Sequence, residues 1–215
     1  MLFRSVKEMK KKIIIIGGVA AGMSAAAKAK RLNPELDITV YEKTDIVSWG
    51  ACGLPYYVGD FYEDPNMMIA REPEQFAKDG IVVKSHHEVV DIDICKKTVT
   101  VLNHKNKNTF DDNFDELIIA TGASAINPPI KNIDAENIFH LKSFQDGLKL
   151  KKALLKPENK DIVIIGAGYI GIEAAEAAKH LNKNVRIIQR GERVLPGSFD
   201  TEITDLMEYE LEHTE

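Results

Sequence analysis

The stretch Lys12-Ile13-Ile14-Ile15-Ile16-Gly17-Gly18-Val19-Ala20-Ala21-Gly22, with its continuation to Glu42, decides the fold. Four consecutive isoleucines read as a strand buried on both faces. Gly17, Gly18 and Gly22 break the run and open an Ala-rich segment, Ala20 to Leu32, of good helix formers. A second β-type run, Ile38-Thr39-Val40-Tyr41, ends in Glu42, twenty residues after Gly22. Strand, glycine turn, helix, strand and acid in this order make a dinucleotide-binding βαβ unit. Gly17 lets the backbone turn tightly, and the helix N-terminus points unpaired N–H groups and a positive dipole at a pyrophosphate. Gly22 lets helix and strand pack closely, and Glu42 can accept hydrogen bonds from a ribose. Val19 stands where the second glycine is usual, followed by Ala20, so a phosphate must pass a Cβ or shift slightly.

The theme returns further on. Asp161 to Ile165 is a strand, Gly166-Ala167-Gly168-Tyr169-Ile170-Gly171 is a complete G-x-G-x-x-G, Tyr169 to Leu181 is again Ala-rich, and Val185 to Ile188 is the next strand. The two turns begin 149 residues apart. The alternative is a pair of ordinary α/β packing turns. Between them, Pro73 to about Asp79 reads as a helix and Ile81 to Lys84 as a strand. Glu88 to Ile94 and Thr98 to Leu102 both alternate, with Lys96-Lys97 as the turn of an antiparallel hairpin. Phe114 to Ala120 is a further buried strand, ending in Thr121-Gly122-Ala123, and Pro128-Pro129 begins a linker. The fold class is therefore α/β: two Rossmann-like dinucleotide-binding units with parallel sheets and an inserted antiparallel β hairpin. Two nucleotide sites in one chain suggest one tightly held and one exchanging nucleotide, a flavin and a nicotinamide.

At 215 residues and 44% apolar content, the chain can build one or two cores. A net charge of −5 gives no general pull toward nucleic acid or an anionic membrane. Two cysteines without a Cys-x-x-Cys are too few for a disulfide framework, which points to a reducing, cytoplasmic setting. Lys7 and Lys10 to Lys12 before an apolar stretch imitate a secretory signal, but the glycine pair breaks the stretch and cleavage would remove the first strand. Residues 1–8 are expected to be a disordered extension. No metal-ligand pattern stands out.

Cys52 lies between the small residues Ala51 and Gly53 at a predicted helix start, where the thiolate is favoured and a flat ring or bulky disulfide has room. The alternative is a buried structural cysteine. Cys95, on the hairpin beside Lys96 and Lys97, reads as structural.

The segments Gly17 to Ser24, Ser48-Trp49-Gly50-Ala51-Cys52-Gly53-Leu54-Pro55-Tyr56, Ala120 to Ala123 and Gly166 to Glu173 together resemble the flavin-dependent pyridine nucleotide–disulfide oxidoreductases, in the single-cysteine branch of the coenzyme A disulfide reductases. The resemblance runs from Met9 onward, and that branch tolerates valine at the second-glycine position. It implies that Gly17, Val19, Ala20, Gly22, Glu42 and Lys43 hold the FAD adenosine and pyrophosphate. Val89 would lie along the adenine through its backbone, and Ala120, Thr121 and Gly122 would touch FAD. Cys52 would be the redox-active thiol. Gly166, Gly168, Tyr169, Ile170, Gly171 and Glu173 would serve NADH or NADPH, with Gln189 where an NAD site usually places an acid and Arg190 beside it. Ser48, Lys28, Arg31 and Arg71 would receive coenzyme A; for Lys28 and Arg31, charge complementing the helix C-terminus serves equally well.

On this resemblance, residues 9–127 are the first segment of an FAD-binding domain and 128–215 an incomplete NAD(P)-binding domain. Relatives continue past Glu215 and end in a dimerisation domain, so the full-length form is expected to be a homodimer. The implied reaction passes electrons from NAD(P)H through FAD to Cys52 and reduces coenzyme A disulfide or a related polysulfide. An NADH oxidase or peroxidase cycling a cysteine sulfenic acid is the alternative, weakened because Ala20 stands where those enzymes usually carry a histidine. A non-catalytic remnant is the third reading.

Overall fold

The computed structural model describes residues 10–213; the expected extension at residues 1–8 lies outside them. In chain order the elements are β1 Lys12–Ile16, α1 Ala20–Leu32, β2 Asp37–Tyr41, α2 Leu54–Val58, α3 Pro73–Lys78, β3 Ile81–Lys84, β4 His87–Asp93, β5 Thr98–Asn103, β6 Thr109–Asn113, β7 Glu116–Ile119, α4 Phe144–Leu154, β8 Asp161–Ile165, α5 Tyr169–His180, β9 Asn184–Ile188 and α6 Thr201–His213. They fall into two compact units. One takes the chain to Gly50 and then Met67–Ser124; the other takes Ala51–Asn66 and the chain from Ala125.

The first unit is built on a parallel sheet of order β3-β2-β1-β7. The period of two along β1 sorts its isoleucines between two layers. Ile13 and Ile15 pack with Met23 and Ala26 of α1, and with Phe76 and Ile81. Ile14 and Ile16 pack with Tyr41, Val99, Val101 and Phe114 on the other side. A strand covered on both faces needs no alternation, which is why β1 reads as an unbroken apolar run. The expected hairpin is a three-stranded antiparallel sheet, β4-β5-β6. Its third strand, Thr109-Phe110-Asp111-Asp112-Asn113, is polar and at the edge, with Phe110 as its single apolar residue, so nothing in its composition marks it as β. Asp112 anchors it, accepting the Tyr41 hydroxyl at 2.7 Å and pairing with Lys12.

In the second unit, β8 and β9 pair in parallel with α5 between them in sequence. Helix α4 was not expected. It carries a capping box in which Ser143 Oγ accepts from the Asp146 N–H at 3.1 Å and the Asp146 carboxylate accepts from the Ser143 N–H at 2.8 Å. The segment Ala51–Asn66 packs in this unit. A Cβ on Gly59 would meet the Ala177 backbone of α5 at 3.0 Å, and one on Gly147 of α4 would overlap Leu54. Phe61 stacks on His180 at 4.0 Å between ring centroids.

Candidate nucleotide cradles and the thiol

The turn after β1 has Gly17 at φ +105°, a left-handed conformation that favours glycine. Its N–H donates to the Tyr41 carbonyl at 2.8 Å. A Cβ on Gly22 would overlap the Gly17 carbonyl oxygen, so helix and turn are as close as two backbones can be. Val19 caps α1 without a side-chain hydrogen bond, and the first turn carries no acid. The first N–H groups of a 13-residue helix are thus left for an anion. Ala20 is exposed and Val19 half-buried, so the valine leaves the turn accessible.

Glu42 is buried at the end of β2. One carboxylate oxygen accepts from the Gly18 N–H at 2.8 Å; the other accepts from the Thr44 N–H at 2.9 Å and the Thr44 hydroxyl at 2.8 Å. Three donors on about four acceptor positions leave room for one ribose hydroxyl. Lys43 beside it is exposed. Strand β7 brings Ala120 to this turn: its N–H donates to the Ile16 carbonyl at 2.8 Å, and its own carbonyl oxygen fills the space a Gly17 side chain would need. Thr121 and Gly122, the latter at φ +69°, follow in exposed chain. At Val89 the β4–β5 register shifts, making Val90 an extra residue and a bulge, which takes local backbone out of the ladder.

The second cradle repeats much of the first, although nothing stands against Gly166 as the Ala120 carbonyl stands against Gly17. Gly166 lies at φ +106° and its N–H donates to the Ile188 carbonyl at 2.8 Å. A Cβ on Gly171 would overlap the Gly166 carbonyl oxygen. The Ala167 N–H donates to Gln189 Oε1 at 3.1 Å, as Gly18 does to Glu42. The Leu195 N–H donates to the Ala167 carbonyl at 2.8 Å, as Ser48 does to Gly18 at the same distance. Ser48 and Leu195 share the left-handed conformation, at φ +50° and +46°. Gly168 caps α5 with no atom within 4 Å of where a Cβ would stand, and Tyr169, Ile170, Glu173 and Arg190 are exposed. Both cradles fit a pyrophosphate, since each offers the backbone N–H groups of a helix start, past the Val19 side chain in the first and past Gly168 alone in the second.

Ser48 and Arg71 come together in a groove of about 290 Å³ with Ala20, Ser24, Ala27 and Phe76. The Arg71 guanidinium lies 4.0 Å from the Phe76 ring centroid and pairs with Asp79 at 2.6 Å. Ser24 was missed, although it stands one turn before Lys28 and two before Arg31 on α1. Those two cations are exposed and do not line the groove.

Cys52 is exposed, in the 3₁₀ turn Ala51–Gly53 that leads into α2. Burial as a core thiol is thereby ruled out. Cys95, read as structural, is exposed too, in the turn after β4. Among the described residues no cluster of three or more His, Cys, Asp or Glu could hold a metal ion, and no helix is long and apolar enough to cross a membrane.

Residues 11–215 match the family described as pyridine nucleotide-disulphide oxidoreductase. The chain is 42% identical over 206 residues to a NAD(P)H coenzyme A polysulfide/persulfide reductase of Pyrococcus horikoshii, covering 95% of this chain and 45% of that one. It is 36% identical over 184 residues to the coenzyme A disulfide reductase of Staphylococcus epidermidis, covering 85% and 41%. Among solved structures it resembles an engineered water-forming NADPH oxidase derived from the Lactobacillus brevis enzyme, with a TM-score of 0.88, 33% identity and coverage of 94% of this chain and 44% of that one. The chain thus spans less than half the length of these relatives. The doubled cradle and these matches agree: the chain belongs to the pyridine nucleotide-disulphide oxidoreductase family.

Proposed function

We propose that this chain is the nucleotide-binding part of a flavoprotein that reduces coenzyme A disulfide, or a related disulfide or polysulfide, through Cys52. The repeated cradle carries the reading: two turns hold the same backbone bonds, one closed by an acid and one by an amide. The first takes FAD, through Gly17, Gly22, Glu42 and the Ala120–Gly122 segment, with residues 9–127 as the FAD-binding segment. The second takes NAD(P)H, through Gly166, Gly168 and Gly171, within residues 128–215. When bound, the two nucleotides supply the pair of electrons that frees the second thiol.

The chain's own chemistry is thiol–disulfide exchange. The Cys52 thiolate attacks one sulfur of coenzyme A disulfide, an S–S bond to Cys52 forms, and the other coenzyme A leaves as thiolate. Ser48, Ser24 and Arg71 in their groove, with Lys28 and Arg31 beyond it, offer hydroxyls and cations for the coenzyme's polar part. Incubating the chain with coenzyme A disulfide should add one coenzyme A mass to Cys52 and none to Cys95 in peptide mass spectra. Modification of both thiols alike would overturn the assignment.

At the second cradle, Gln189 lacks the charge that repels a 2′-phosphate, and exposed Arg190 follows it. The engineered NADPH oxidase carries an aspartate-to-alanine change followed directly by alanine-to-arginine, the same order of an uncharged residue and then arginine. We read the site as accepting both NADH and NADPH. Tighter binding of NADH by Gln189→Glu, with NADPH weakened, is the expected titration result; an unchanged ratio removes Gln189 from the role.

The oxidase reading has the structural match in its favour, but Ala20 offers no proton donor at the first turn. A remnant that binds no flavin is distinguished by the absorbance spectrum of the purified chain mixed with FAD and desalted. The free cysteines fit a reducing compartment, the cytoplasm. A longer form would act as a homodimer.

A further inference from the structure

Lys151 of α4 is 6% exposed, one of four polar or charged residues buried among those described. Its Nζ lies 2.7 Å from Asp60 Oδ1, donates to the Tyr62 carbonyl at 2.8 Å, and sits 4.2 Å from the Tyr57 ring centroid. An ammonium taken out of water is costly unless every donor is used, so its retention at a helix–helix contact needs a reason beyond packing. All its partners lie on the Ala51–Asn66 segment. Asp60, at φ +64°, turns the chain after α2 and sends it back past Lys151. Tyr62 then reaches the start of that segment: its hydroxyl donates to the Gly53 carbonyl at 2.8 Å. The Tyr57 and Tyr62 rings lie 5.8 Å apart, closing the loop.

We infer that Lys151 and Tyr62 are positioning residues for Cys52: the ammonium fixes the Asp60–Tyr62 return, and the Tyr62 hydroxyl holds the carbonyl of Gly53, the residue after the thiol. The inference rests on the reading of Cys52 as the redox thiol. Gly53 has no side chain with which to hold its own turn, and the 3₁₀ turn is only three residues long. The Tyr62 bond therefore limits the directions in which Cys52 is presented. The Phe61–His180 stack ties the same return to α5.

The chain contains its own control, because Cys95 is exposed and lies outside this unit. In Tyr62→Phe, which removes one oxygen and keeps the ring, amide exchange at Cys52 to Leu54 should quicken. The ratio of Cys52 to Cys95 alkylation by iodoacetamide should rise about three- to tenfold, the span one lost hydrogen bond implies. Cys95 itself should stay near the parent, and the protein should remain folded with an unfolding midpoint lowered only by what one lost hydrogen bond implies. Lys151→Met should raise the same ratio, and Lys151→Arg, which keeps a donor for Asp60 and the Tyr62 carbonyl, should return it toward the parent value. An unchanged or lower ratio in folded Tyr62→Phe overturns the inference. Failure of the parent Cys52 to exchange with coenzyme A disulfide overturns the redox reading instead and leaves the labelling ratios standing.

Discussion

Gly18 donates its backbone N–H to the buried Glu42 carboxylate at 2.8 Å, joining the glycine turn to the end of the next strand. A hydrogen bond to a charged group contributes about 1.5–3 kcal/mol. Glu42→Gln keeps the shape and loses the charge, so thermal unfolding should show a cost at the lower end of that range. FAD affinity, measured by quenching of flavin fluorescence, should fall about tenfold or more if Glu42 is the ribose acceptor proposed above.

The two glycines of the second cradle should part company on substitution. Gly171→Ala drives a methyl into the Gly166 carbonyl and should destabilise by about 1–3 kcal/mol. Gly168→Ala meets nothing within 4 Å, so its stability should stay within about 0.5 kcal/mol of the parent. Its nicotinamide-nucleotide affinity should nonetheless fall, because the methyl fills the approach to the helix start. Urea unfolding and calorimetric titration on both variants separate the two effects. Equal affinity in Gly168→Ala would remove this turn from the phosphate site.

Burial first, and then the Asp112 carboxylate that accepts its hydroxyl, push the Tyr41 phenol above its ordinary range. The folded chain therefore holds this proton more tightly than the unfolded chain. Its contribution is complete below the unfolded value of about 10 and is lost as pH rises beyond it. Tyr62 is raised in the same direction by burial. Denaturant midpoints should fall between pH 9 and pH 11 in the parent, and fall less steeply in Tyr41→Phe, which should cost about 1 kcal/mol near neutrality.

Cys95→Ser should be nearly silent, within about 0.5 kcal/mol, because the side chain is exposed in a turn and packs no core. Differential scanning calorimetry checks this. A larger loss would mean that the turn depends on the thiol.

The parallel core and both cradles were legible in the sequence because their signals are local: the unbroken isoleucine run, glycines at fixed spacing, and Glu42 and Gln189 at strand ends. Strand β6 was not, since an edge strand with one apolar residue is specified by its partners, Tyr41, Lys12 and Val101, and not by its own pattern. Ser24 escaped because a serine on an Ala-rich helix carries no signal until the groove beside it is known; its spacing from Lys28 could have been noticed. Helix α4 did carry a readable mark, the Ser143–Asp146 box. The attachment of Ala51–Asn66 to α4 and α5 had none, because Lys151 reads as a surface residue unless its partners nearly a hundred residues away are in view.

The chain passes between the two units three times, at Gly50–Ala51, Asn66–Met67 and Ser124–Ala125. Neither unit is therefore a continuous stretch, and no single proteolytic nick releases either one whole. A cut after Ser124 would leave the thiol segment covalently with the first unit and joined to its packing partners by non-covalent contacts alone. Limited proteolysis should accordingly give fragments that stay together under native conditions and separate only in denaturant. A gene fragment beginning at Ala125 would lack the helix that covers α4 and α5.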